Sequence, residues 1–184
     1  MSIIIIVAPS GAGKSTLIKK VREDFPALKE SISFTTRAMR PGEVAGKSYF
    51  FIAREEFLKR RDQDEFIEWA EVHSNFYGTS KCFIQGELSK GHSVLLDIDV
   101  QGADNIKKSF GDVAKAIFIA PPSFEVLEKR LRGRGTDDPE VIARRLKNAK
   151  QELQRRNDYD YVVVNDQLEV AYKELKQIIE KIIR

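Results

Sequence analysis

The sequence predicts an α/β fold in which a parallel sheet is flanked by helices, with a small, mostly antiparallel insertion and a helical lid. Three observations lead there: short β-branched runs alternating with helix-length segments, a glycine-rich turn ending in Lys14-Ser15 after the first run, and two breaks in that rhythm. Ser2 to Val7 contains Ile3-Ile4-Ile5-Ile6-Val7, too short for a helix and too β-branched to prefer one, so it reads as a strand buried on both faces. Comparable runs at Ser93–Leu96, Ala116–Ile119 and Tyr161–Val164 extend the sheet. The segments Ser15–Asp24, Gln101–Phe110, Ser123–Arg132 and Pro139–Gln154 supply helices around it, the pattern of right-handed βα crossovers. A last helix over Gln167–Ile183 gathers Ala171, Leu175, Ile178, Ile179 and Ile182 on one apolar stripe that packs on the sheet.

The rhythm breaks first between Ser31 and Thr79, where Arg40-Pro41-Gly42-Glu43 reads as turn and Tyr49-Phe50-Phe51 and Phe66–Val72 read as short aromatic strands. It breaks again over Arg132–Pro139, a polar loop with two glycines ahead of a helix that begins at Pro139 with Asp138 as cap. At 184 residues the chain suits a single domain, and its 42% hydrophobic and 32% charged residues exclude disorder and a disulfide scaffold. The 31 Lys and Arg against 28 Asp and Glu leave +3, short of the excess of a dedicated nucleic-acid binder. A single cysteine, Cys82, and the lack of a signal peptide fit a reducing cytoplasm, and no apolar run is long enough for a bilayer.

Ala8-Pro9-Ser10-Gly11-Ala12-Gly13-Lys14-Ser15-Thr16 matches the P-loop pattern G-x-x-x-x-G-K-S/T at every fixed position but the first, where Ala8 replaces glycine. Pro9 pushes Ala8 toward extended backbone with negative φ, where a Cβ is tolerated. Gly11 and Gly13 let the backbone curl around phosphate oxygens, and the helix that follows offers unpaired N–H groups. Lys14 brings a point charge to the β and γ phosphates of a nucleoside triphosphate, and Ser15 is placed to ligate Mg²⁺. Asp97 and Asp99 end another buried strand, where ligands of parallel sheets gather; either is placed to hold the magnesium ion through water or to orient a substrate. Asp99 is equally suited to capping the helix that starts near Gln101.

A P-loop does not by itself name the phosphoryl acceptor. The guanine-reading Asn-Lys-x-Asp of a GTPase is missing, while Arg37, Arg40, Tyr49 and Tyr77 are donors suited to a phosphate monoester. Arg132, Arg134, Arg144 and Arg145 surround the second break, as arginines of a lid would. Over nearly its whole length the chain resembles the guanylate kinases. The resemblance rests on the P-loop, on Ser33-Phe34-Thr35-Thr36-Arg37 with Arg40-Pro41-Gly42-Glu43, and on Gly46-Lys47-Ser48-Tyr49. It continues in Glu65-Phe66-Ile67-Glu68-Trp69-Ala70, Asn75-Phe76-Tyr77-Gly78-Thr79, Leu96–Gly102 and Arg134-Gly135-Thr136-Asp137.

That resemblance implies a P-loop NTPase-type fold and an ATP:GMP phosphotransferase built from a core (1–33, 82–129 and 147–184), a GMP-binding lobe (34–81) and a lid (130–146). It further implies that Ser33, Arg37, Arg40, Tyr49 and Tyr77 clamp the GMP phosphate and that Glu68, Thr79 and Asp97 contact guanine. Arg134 and Arg145 then reach the triphosphate, and Asn165 lies near the adenine. Guanine presents adjacent donors, N1–H and the exocyclic amine, that one carboxylate accepts together, whereas adenine offers a bare N1. Thr79 stands where many relatives carry serine and keeps a hydroxyl for O6. No nucleic acid or membrane partner is implied, and monomer and homodimer stay open.

Trp69 follows Glu68 and is expected on the opposite face of the strand, packed in the core. His73 and His92 lack metal-ligand spacing, and Cys82 lacks a base to activate it. Two other readings compete: a guanylate-kinase-like protein-binding module that has lost catalysis, and a kinase of similar shape that phosphorylates a sugar phosphate. The intact Gly13-Lys14-Ser15 weighs against the first and the Glu68 and Thr79 pair against the second.

Overall fold

The computed structural model describes residues 1–72, 74–133 and 138–184. His73 and the Arg134-Gly135-Thr136-Asp137 motif lie outside the described residues. In chain order the elements are β1 (Ile3–Val7), α1 (Lys14–Asp24), β2 (Lys29–Ser31), β3 (Phe34–Thr35), β4 (Phe50–Phe51), α2 (Arg54–Asp62), β5 (Phe66–Val72) and β6 (Asn75–Ser80). There follow α3 (Lys81–Ser89), β7 (Val94–Asp97), α4 (Val100–Phe110), β8 (Ala114–Ala120), α5 (Phe124–Arg132), α6 (Pro139–Gln154), β9 (Tyr161–Val164) and α7 (Leu168–Ile183). Five strands form a sheet in the order β2-β7-β1-β8-β9, with β2 parallel to β7 and β8 parallel to β9; four more form a second sheet, β4-β3-β6-β5. The mixed α/β class and the parallel sheet are those the sequence predicts. All five residues of β1 are fully buried, as an isoleucine run covered on both faces requires.

The chain divides into two compact units, residues 1–3 with 27–114, and residues 4–26 with 115–184. In the first, β5 and β6 form an antiparallel hairpin, β3 pairs antiparallel with β6, and β4 lies parallel to β3. Alternation along β5 buries Phe66, Glu68 and Ala70 and leaves Trp69 and Glu71 exposed. Phe57, Phe66 and Phe76 stack into a small aromatic core, joined by Phe34, Ile52 and Leu58. Asp99 caps α4 through Gly102 N–H at 2.8 Å, and Ser80 caps α3 through Phe83 N–H at 3.2 Å.

In the second unit α7 buries Ala171, Leu175 and Ile179, four residues apart on one face. Tyr172 donates its hydroxyl to the Lys20 carbonyl at 3.1 Å, and Lys176 pairs with Asp24 at 2.6 Å, so α7 is tied to α1 at two points one turn apart. Leu127 and Leu131 of α5 pack on Ala149 of α6, with Phe124, Leu146 and Leu153 around them. Ser123 caps α5 through Val126 N–H. Asp138 holds the N-cap position of α6 with Pro139 next, but its side chain makes no capping bond, which corrects the expected cap: the backbone geometry of the start is supplied by proline.

Trp69 is the second correction. It does face away from Glu68, yet it is 41% exposed and lies on the surface of the hairpin, with its ring edge on Phe76 and the Arg61 guanidinium 5.4 Å above it. Trp69 lies on the side of the strand that holds the aromatic core, opposite Gly78, but stands at the margin of that core, which the three phenylalanines fill, while α4 covers the Glu68 side. Five of these elements carry little sequence signal and are not among those predicted above: α2, α3, the short polar β2, β3 and β6.

Gly78 of β6 is where the aromatic core comes closest to the backbone: a Cβ there would stand 3.0 Å from Phe57 Cζ and from Phe66 Cγ and Cδ1. Gly78→Ala should therefore lower stability by about 1–3 kcal/mol through overpacking, read as a lower urea midpoint with an unchanged slope.

Candidate active site

The phosphate loop is built by the second unit. It leaves β1 at Ala8, turns through the Ala12 N–H bond to the Pro9 carbonyl at 3.1 Å, and enters α1 at Lys14. Gly11 and Gly13 lie at φ 91 and 92, in the left-handed region that side chains avoid, while Ala8 keeps a negative φ as its place before proline predicts. No side chain caps α1, and its first turn carries no acidic residue. The first turn of such a helix offers its N–H groups and the positive end of its dipole to an anion. Pro9 and Ala12 are buried, Ala8, Gly11, Gly13 and Lys14 are half-buried, and Ser10, Ser15 and Thr16 are exposed.

Asn165 holds this loop from behind. Its side chain, 5% exposed, donates from Nδ2 to the Ala12 carbonyl at 2.7 Å, and its own N–H is bonded to Ala120 at the end of β8. A Cβ on Gly13 would overlap Asn165 Nδ2, so glycine is required there for space as well as for φ. Sequence reasoning gave Asn165 a place near a base; the structure ties its amide to the loop backbone. Arg130 donates to the Asn165 carbonyl at 3.0 Å, and Arg145 sits half-buried on α6. Arg134 lies outside the described residues.

The first unit carries two clusters. In one, the Arg37 guanidinium donates to Glu43 at 2.7 Å and to the Ala38 carbonyl at 2.6 Å, and lies 5.5 Å and 5.8 Å from the rings of Tyr49 and Phe51. Tyr77 meets Tyr49 edge-on at 5.9 Å. Burial pulls the Arg37 pKa down, but Glu43 and then Tyr77 outweigh it, so the guanidinium stays charged. Burial, with Asp97 close by, pushes the Tyr49 hydroxyl up to about 12, leaving it a donor at every physiological pH. Glu43 also accepts from the Arg40 backbone N–H at 2.8 Å, across a turn closed by Glu43 N–H on the Arg40 carbonyl. The Arg40 side chain is exposed, and Ser33 is buried beside β3, its carbonyl bonded to Phe50 N–H.

In the other cluster Glu68 sits directly opposite Thr79 across the β5–β6 pair, just after a bulge at Phe66/Glu68 that re-aims the strand. The Thr79 hydroxyl donates to Glu68 Oε1. Glu68 is only 7% exposed, and burial, followed by the neighbouring charge of Asp99, raises its pKa to about 7 despite the Thr79 bond. Asp99 Oδ1 is engaged in capping α4, and Asp97 closes β7, half-buried. Of the residues foreseen for the acceptor, the structure brings Arg37, Tyr49 and Tyr77 together, and Glu68 with Thr79. Two residues in these clusters were given no role from sequence, Glu43 and Gly102; the first lies three positions after Arg40 in a Pro-Gly turn, a spacing that signals such a bond. His92 is bonded to Glu87 at 2.7 Å and the Cys82 thiol is exposed on α3.

The comparisons with known proteins bear on the whole chain. The family model described as "Guanylate kinase" matches residues 1–182. Guanylate kinase of Chromobacterium violaceum is 50% identical over 178 residues, 97% of this chain and 84% of that protein. Guanylate kinase of Geobacter sulfurreducens is 49% identical over 175 residues, 95% and 86% of the two chains. The crystal structure of guanylate kinase from Anaplasma phagocytophilum superposes with a TM-score of 0.79 at 36% identity, covering 98% of this chain and 85% of that one.

Replacing Asn165 by alanine removes the partner of the Ala12 carbonyl and should cost about 1–3 kcal/mol. Asn165→Asp, which has no N–H to donate, should lower the urea midpoint at least as far; an aspartate variant as stable as the parent would show that the amide bond is not what holds the loop.

Proposed function

The chain belongs to the guanylate kinase family, and on that premise we propose how its own residues move the γ-phosphoryl group of ATP to GMP. The activity is ATP:GMP phosphotransfer, giving ADP and GDP. The observation that carries the acceptor assignment is Glu68, a carboxylate buried against Thr79 in a chain with an intact phosphate loop. A buried carboxyl whose single side-chain partner among the described residues is a threonine hydroxyl has acceptor capacity left over, and guanine supplies the matching pair of donors. Thr79 turns its hydroxyl from Glu68 to O6 as the base arrives, and Asp97 adds a further contact. A sugar phosphate would leave Glu68 buried with nothing to accept from, and a bare binding module would not need Gly13-Lys14-Ser15, so neither rival is favoured.

Ser33, Arg37, Arg40, Tyr49 and Tyr77 hold the GMP phosphate. The support is chemical: a guanidinium kept charged by its neighbours and the Tyr49 phenol, which stays protonated, are donors that a dianion takes up together, with the Tyr77 hydroxyl beside them. We assign this work to a lobe at 34–81, which has its own aromatic core, and the triphosphate to the loop Ala8–Thr16 with a lid at 130–146. Lys14, Arg134 and Arg145 neutralise charge on the transferring group, and Asn165 keeps the loop in shape for it. A GMP phosphate oxygen is already anionic, so no general base is needed, and the rate comes from positioning and charge neutralisation. Closure of lobe and lid excludes water that would otherwise hydrolyse ATP.

The donor set fits magnesium. Ser15 would offer a hydroxyl from the first turn of α1, and Asp97 or Asp99 would hold the ion through water, oxygen donors of the kind Mg²⁺ takes. When bound, Mg²⁺ offsets the negative charge of the β and γ phosphates and orients them. We further infer that dGMP is accepted, since no assigned contact depends on the ribose 2′-OH, and that the enzyme works in purine nucleotide metabolism in the cytoplasm, where the exposed Cys82 thiol stays reduced.

Lys14→Ala should lower GMP-dependent ADP release about 100- to 1,000-fold in a coupled assay; a rate near the parent's removes Lys14 from this role. The pH dependence has a definite sign. Glu68 must be ionised to accept from guanine, yet in the free protein it holds its proton until about pH 7. GMP binding therefore releases a proton, and the KM for GMP should fall as pH rises from 6 to 8 and then level off. Glu68→Gln should flatten that profile and lose preference for GMP over AMP. The same shift works against stability as pH rises. The folded state binds the extra proton, so this contribution is greatest below the ordinary carboxyl range and is lost by about pH 7.

A further inference from the structure

The first turn of α4 contains a glycine that neither the helix nor its cap requires. Gly102 donates its backbone N–H to Asp99 at 2.8 Å, a bond that any residue except proline would make. Its φ is not positive, so the backbone conformation is open to every side chain. Inside a helix glycine is also the poorer choice, by about 1 kcal/mol relative to alanine. What the position supplies is space. A Cβ at Gly102 would stand 2.8 Å from Glu68 Oε2, 3.1 Å from Glu68 Cδ and 3.4 Å from Asp99 Oδ1. The atoms in the way belong to the end of a side chain, not to backbone, so the carboxylate rather than α4 would give ground. Glu68 has little room for that movement, being 7% exposed and bonded through Oε1 to Thr79 on its other side.

We propose that Gly102 is a specificity-determining residue for the acceptor base: by lacking a side chain it lets the Glu68 carboxylate rest against the first turn of α4, and so fixes where that carboxylate meets the base. The proposal rests on the reading of Glu68 as the group that accepts from guanine. It makes Gly102 a positioning residue that touches no substrate itself. Local helix preference yields there to the needs of the site, a conflict that marks functional positions. A methyl group at 102 pushes the carboxylate out of line with two donors at once, which penalises guanine and leaves adenine, already poorly matched, almost unaffected.

The test is a double-mutant cycle on the full chain, with steady-state kinetics for GMP, AMP and ATP and a thermal melt for each variant. Gly102→Ala should raise the KM for GMP roughly 10- to 100-fold, lower the preference for GMP over AMP by a similar factor, and leave the KM for ATP unchanged. Its unfolding midpoint should stay close to the parent's, because the helix preference for alanine offsets the cost of displacing the carboxylate. In a Glu68→Ala background, where no carboxylate is left to displace, Gly102→Ala should change neither the KM for GMP nor the preference. An unchanged KM for GMP in the single variant overturns the proposal. So does an equal penalty in both backgrounds, or a lowered midpoint with ATP and GMP weakened together. If Glu68→Ala by itself keeps the preference for GMP, the base-reader assignment fails and takes this proposal with it. Loss of preference in Glu68→Ala but not in Gly102→Ala defeats the role of Gly102 alone.

Discussion

Burying a carboxylate is the constraint around which the first unit is arranged. Glu68 is removed from water, and an ionised group in such a place is unfavourable unless its surroundings offer donors. The hairpin provides one, the hydroxyl of Thr79 directly across the β5–β6 pair, and no more than that. The protein therefore keeps the group near its point of half-ionisation, in contrast to Glu43, whose bonds to Arg37 and to the Arg40 N–H hold it below the usual carboxyl range against the effect of burial. Two glutamates in one unit thus have opposite surroundings: Glu43 is satisfied by the Arg37 guanidinium and the Arg40 N–H, and Glu68 is left with acceptor capacity to spare.

The phosphate loop follows a different rule, in which every backbone group has an assigned direction. Donors point outward only if the carbonyls between them are held elsewhere, and the Asn165 bond to the Ala12 carbonyl does this from a position more than 150 residues later in the chain. Because Asn165 follows β9 and its own N–H is bonded to Ala120 at the end of β8, the loop is referred to the rigid sheet at its back. The short distance between β1 and α1 leaves no slack, so the placement of the loop is inherited from a strand with no exposed residue.

Legibility in the sequence followed the strength of the local signal. The isoleucine run, the P-loop and the apolar stripe of α7 are each redundant over several residues, and all reappear in the structure. α2 was invisible because its composition is charged throughout and Phe57 is its one fully buried residue, which leaves no 3.6-residue pattern to detect. Trp69 is misread because alternation gives the face of a strand but not how far across that face the core extends. Gly102 is read within a motif and Asn165 only as a residue near the adenine, yet their contacts depend on residues 34 and 153 positions away, and no spacing rule reaches that far.

Trp69 is also the only tryptophan of the chain. It stands one residue from Glu68, on the opposite face of the same strand, 41% exposed, with the Arg61 guanidinium above its ring. An indole in that setting is an optical reporter fixed on the strand that also holds Glu68, and indole emission in general responds to hydration and to a nearby cation. The protein thus carries a native fluorophore one residue from its buried carboxyl, with no label attached.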